Sequence, residues 1–77
     1  MNKIRRQQLT EIQAELEALK ERIECLQQEE QDYFDNMPES LQGGEKGDKA
    51  QEHIDAIEYC ATTLDDVISG ITEIVEA

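Results

Sequence analysis

The sequence predicts an all-α fold: a coiled-coil-like antiparallel hairpin of two long helices, dimerising into a four-helix bundle. Three observations carry this reading. Leu9, Ile12, Leu16, Leu19, Ile23 and Leu26 recur at alternating spacings of three and four residues, which lines them along one stripe of a helix. Ile54, Ile57, Ala61, Leu64, Ile68, Ile71 and Val75 repeat the alternation after a break that holds Pro38, Gly43, Gly44 and Gly47. His53, Cys60, Val67 and Ile74 then form a further stripe beside the second seam, so that helix has more apolar face than one neighbour can cover.

Size points the same way. A chain of 77 residues makes one domain, residues 1–77, and a core this small is worth roughly 3–5 kcal/mol before a staple or a second copy is added. Self-association is therefore expected. The net charge of −12, from 19 acidic and 7 basic residues, opposes binding in a nucleic-acid groove, where phosphates call for clustered Lys and Arg. It suits a well-solvated surface or a protein partner with a basic face. Apolar runs are too short for a membrane span, and MNKIRRQQLTE lacks the apolar segment of a signal peptide, so the expected location is cytoplasmic. Cys25 and Cys60 lie far apart without a CxxC spacing and are expected to be reduced thiols.

The first helix is expected over residues 5–36, a run of Leu, Glu, Gln, Ala, Lys and Arg without Gly or Pro. At about 1.5 Å per residue it would be roughly 48 Å long. With Leu9, Leu16 and Ile23 at heptad position a and Ile12, Leu19 and Leu26 at d, Glu30 takes the next a position. That charge is placed at the rim where the hairpin opens towards its turn. Lys3, Arg5 and Arg6 oppose the dipole of the helix they begin, so they are read as frayed or as paired with Glu73, Glu76 or the terminal carboxylate.

A connector spans residues 37–48. Pro38 biases Met37 away from the helical region, and Asn36 reads as the N-cap of a short turn. Leu41 is expected to fold back over the hairpin end, while Gly43, Gly44 and Gly47 supply positive φ for the reversal. Asp48 and Gln51 read as a capping box for the second helix, residues 49–76, which carries seven acids and no cation beyond Lys49. Residue numbers summing to 87 set each a layer against a d layer, as in Ile23 with Leu64 and Leu19 with Ile68, and leave Leu9 unopposed. Because the first helix is polar at most e and g positions, the second is expected in the middle of the assembly, with His53, Cys60, Val67 and Ile74 as the oligomer interface.

No catalytic constellation, cofactor motif or metal site is expected. His53 has no second ligand at helical spacing, QGGEKGDK lacks the spacing and the preceding strand of a phosphate loop, and Asp65 and Asp66 point about 100° apart. The chain is not read as an enzyme. Tyr33, Phe34, Met37 and Leu41 gather at the hairpin tip, where sealing of the hairpin end is favoured over contact with another protein, and Tyr59 at an outward f position is either a lateral contact or simply exposed.

The segments DYFDNMPESLQ and AIEYCATTLDDVISGITEI resemble a group of small acidic helical-hairpin proteins encoded by bacteriophages and integrative elements. The resemblance implies a non-catalytic binding protein of a mobile element that engages a host protein, as an anti-defence inhibitor. Two alternatives are carried beside it. One is an oligomeric sponge for a small nucleotide, held by Lys3, Arg5 and Arg6; the other is an acidic mimic of DNA built from Glu52, Asp55, Asp65, Asp66, Glu73 and Glu76.

Overall fold

The computed structural model describes residues 1–77 as three helices: α1 (Lys3–Asp35), α2 (Glu39–Gln42) and α3 (Glu45–Glu76). The two long helices pack side by side in a hairpin whose principal extents are 59 × 14 × 12 Å. Length follows from composition, since no residue between Lys3 and Asp35 breaks a helix. Asn2 starts α1, its Oδ1 accepting from the Arg5 N–H at 2.8 Å. The cations of the first turn are thus helical rather than frayed, and α1 begins two residues before the expected start.

The reversal differs from the expected one in three respects. Asn36 does not begin a turn; it ends α1, where its backbone N–H and its Nδ2 both donate to the Asp32 carbonyl, at 3.0 and 2.8 Å. No glycine has positive φ: Gly43 sits at −84° and Gly44 at −103°. The short helix α2, led by Pro38, makes the change of direction without left-handed backbone. Finally, α3 starts at Glu45, so Asp48 lies inside its first turn, its N–H donating to the Gly44 carbonyl at 3.0 Å. Gln51 donates instead to Asp55, at 3.0 Å, and no capping box forms.

Gly47 matters for space, not for dihedral freedom. A Cβ there would lie 2.7 Å from the Gln42 Cα and would press on its carbonyl group, so the backbones of α2 and α3 touch at this point. The Gln42 side chain continues the clasp, its Nε2 donating to the Phe34 carbonyl at 3.0 Å. Met37 is buried at the hairpin end, whereas Leu41, expected to fold over that end, is exposed.

The core is thin. Met37, Ala50, Ile54, Ala61 and Ile68 are the buried hydrophobic residues, four of them on α3, and no large side chain is sealed completely. On α3 the residues turned inward are those of the expected seam, from Ile54 to Val75. On α1 they are not. Arg6, Leu9, Gln13, Leu16, Lys20, Ile23, Gln27, Glu30, Gln31 and Phe34 are the half-buried residues there, which apart from Gln31 are heptad positions a and e rather than a and d. Leu9, expected to lack cover, is therefore partly covered.

A candidate self-association face

Polar pairs accompany the unexpected rotation of α1. Lys20 Nζ lies 3.0 Å from Asp65 Oδ1, and Gln13 Nε2 donates to Thr72 Oγ1, which itself donates to the Ile68 carbonyl at 3.0 Å. All four pairing residues are e positions, and the numbers in each cross-helix pair sum to 85. An antiparallel a/d seam already sets e beside e; an inward face of a and e, with Gln13 and Lys20 half-buried and Ile12 and Leu19 exposed, turns α1 about 50° further that way, at about 100° per residue. Ile23 and Leu64, which sum to 87, still border one groove, so the expected register holds along the hairpin.

The Asp65 hydrogen bond raises the Lys20 pKa above its ordinary 10.5; desolvation opposes it, and the charges of Asp65, Glu24 and Glu17 add to the rise. A lysine raised in this way contributes stability that is complete below its unfolded pKa and is lost as pH climbs through the folded one. The expected result is an alkaline loss of thermal stability, above pH 10.5, that Lys20→Met lacks. Circular-dichroism melts of the two proteins at neutral pH and above that value check it.

Turning e towards α3 turns d away. Ile12, Leu19, Leu26 and Tyr33 of α1, with Val67 and Ile74 of α3, are each between 44 and 55 % exposed, so half of each expected seam or flank residue remains in water. Position d of α1 and position g of α3 both lie on the side opposite the e-to-e pairs. One side of the hairpin is consequently apolar along its length. A groove of about 340 Å³ opens there between Ile23, Tyr59, Cys60, Thr63, Leu64 and Val67. On the other side the hollows are polar, bordered by Lys20, Glu24, Gln27, Gln28, Glu58 and Asp65 among others.

The remaining expected sites separate. His53 and Cys60 are exposed like Val67 and Ile74, so all four proposed interface residues are available on a single chain. The tip cluster divides: Met37 is buried and Phe34 half-buried, so both serve the hairpin end and leave the set of partner-contact candidates, while Tyr33, Leu41 and Tyr59 stay exposed. Lys3 and Arg5 are exposed, and Arg6 is half-buried with its Nε unpartnered. The expected pairing of Arg5 and Arg6 with Glu73 or Glu76 is absent; the ion pairs present are Lys20 with Asp65 and Lys49 with Glu45. None of the four surface hollows borders Lys3, Arg5 or Arg6. His53, Glu52 and Asp55 do not converge, and no cluster of three metal-ligating side chains forms.

No helix is long and apolar enough to cross a membrane. Compared with known proteins, the chain matches no family model, and no curated protein or solved structure matches it. The apolar side is the feature left for a functional reading.

The contribution of α1 to that side escaped the sequence reading. The polar e positions of α1, Gln13 and Lys20, read as solvated flanks of an a/d seam, and nothing in the sequence marks them as half-buried.

Proposed function

We propose that this chain is a non-catalytic binding protein that works as a self-assembled four-helix bundle and engages another protein through the surfaces the bundle leaves outside. The observation that carries it is the apolar side shared by both long helices, with Leu19 and Leu26 of α1 facing the same way as Val67 and Ile74 of α3. In water such a strip costs about 25 cal/mol for each Å² left uncovered, and contiguous apolar patches of this kind mark interaction sites. Both helices contribute, which replaces the earlier picture of α3 alone at the centre.

Leu41, exposed at the hairpin tip, is the contact candidate for the other protein that the bundle leaves outside, since Tyr33 and Tyr59 border the self-association side; the acidic surface favours a basic partner. The likeness of the DYFDNMPESLQ segment to mobile-element hairpins supports a host protein as that partner and inhibition of a defence factor as the role.

Self-assembly has a direct test in wild-type protein. Anything that binds the folded chain and not the unfolded one raises its melting point by mass action. The expected result is a mass of two chains by sedimentation equilibrium, with a melting temperature that climbs as protein concentration rises. A one-chain mass with a concentration-independent melt overturns it. Partner binding is tested by affinity capture from bacterial lysate with wild type and with Leu41→Asp, whose position at the exposed tip lies off the apolar side. A captured protein retained equally by the variant removes the tip from the reading.

A further inference from the structure

We infer that the second copy covers the apolar side with its turn at the opposite end, α1 lying on the partner's α1 and α3 on the partner's α3. This deepens the self-assembly reading and rests on it. A two-fold axis can bring two such faces together in only two ways. It runs along the hairpin, which keeps both turns at one end, or across it, which sends them to opposite ends.

Charge distinguishes the two. Residues 1–10 carry Lys3, Arg5 and Arg6 and no acid, whereas residues 29–58, around the turn, carry ten acids and two lysines. Each hairpin is thus polarised along its long axis. Turns at the same end would crowd twenty acids from two chains into one end of the bundle. Turns at opposite ends set the basic end of each α1 over the other's acidic end, where Glu29, Glu30, Asp32 and Asp35 follow Arg22 without another cation in α1.

Local structure supports the same choice. Lys3 and Arg5 are exposed without an ion-pair partner within the chain, and Arg5 falls at heptad position d, the position α1 presents to the apolar side. Opposite charges within about 10 Å are still attracted at ordinary ionic strength. On α3 the same arrangement carries Lys46 and Lys49 towards the partner's Glu73 and Glu76.

Area is adequate. A stable interface takes about 800 Å² from each partner, and the face of a hairpin 59 Å by 14 Å has about that extent. The exposed stripe, from Ile12 to Tyr33, is centred near Ile23, about 6 Å along from Leu19 at the midpoint of α1 at about 1.5 Å per residue, so a crossed two-fold keeps most of the overlap.

Orientation is read by distance between spin labels. The chain carries Cys25→Ser and Cys60→Ala, with a nitroxide on Ser40→Cys at the exposed tip. Opposite turns are expected to give a Ser40-to-Ser40 distance on the order of the 59 Å long axis. Mixing chains labelled at Ser40→Cys with chains labelled at Gln7→Cys should add a short distance, about 20–25 Å, the width of two packed helix layers. A short Ser40-to-Ser40 distance overturns this orientation and leaves self-assembly standing. Absence of any inter-chain distance at a concentration well above the sedimentation threshold overturns both.

Discussion

Leu19→Asp/Val67→Asp is expected to abolish self-assembly. Both side chains lie half in water on one chain, so the substitutions cost the single hairpin little. In the assembled state each would bury an uncompensated carboxylate, which costs about 3–5 kcal/mol. One such site weakens association at least ~100-fold, at 1.4 kcal/mol per tenfold. Sedimentation equilibrium should show single-chain mass at concentrations where wild type is fully assembled. The melt should also lose its dependence on concentration and fall, because a thin core is then left unsupported. Thr62→Asp, an exposed position on the polar side, adds the same charge and should leave mass unchanged. Leu19→Ser/Val67→Ser separates burial of charge from added repulsion in a chain already at −12, and should weaken association to an intermediate degree. A two-chain mass for the double Asp variant would refute the apolar side as the contact.

The second large effect is expected at the turn. Gly47→Ala puts a methyl group against the Gln42 backbone, 2.7 Å from its Cα. Backbone cannot rotate aside as a long side chain does, so α2 must lift from α3. Overpacking of this kind costs about 1–3 kcal/mol, against a helix-propensity gain for Ala over Gly of at most about 1 kcal/mol. The sum is a net loss, large beside the few kcal/mol that a core this small supplies. Gly70→Ala is the matched control, since nothing lies within 4 Å of its added Cβ and the residue sits inside α3. It should gain up to about 1 kcal/mol. Urea denaturation of both variants at one fixed protein concentration reads the two signs, and a neutral or stabilising Gly47→Ala would show that α2 is not clamped there.

How much of this was legible in the sequence depended on which residues carried the signal. The α3 seam was, because Ile54, Ile57, Leu64 and Ile68 are apolar whichever neighbour they meet. The hairpin and its approximate register followed from two matching periodicities. The rotation of α1 was not, since its apolar series stands at a and d while the half-buried e positions, Gln13, Lys20 and Gln27, are polar and read as solvated flanks. In the fold Lys20 meets Asp65 and Gln13 meets Thr72 along that flank. At the turn, glycine richness suggested left-handed backbone, yet only Gly47 is needed, and for contact between backbones. Sequence reports that glycine is present, not which of its two properties is used. Val67 and Ile74, the flank beyond the α3 seam, are half exposed on the single hairpin. The counterpart of that flank on α1 was hidden inside the supposed seam.

A body 59 Å long and 14 Å wide experiences more drag than a sphere of equal mass. On a gel-filtration column calibrated with round proteins, a lone 8.8 kDa chain would elute early and pass for an oligomer. A pair lying side by side over its full length would thicken the rod without lengthening it, so the retention shift on association would be smaller than the doubling of mass suggests. Elution volume is therefore a poor gauge of stoichiometry for this shape, and scattering or sedimentation is the measurement to use.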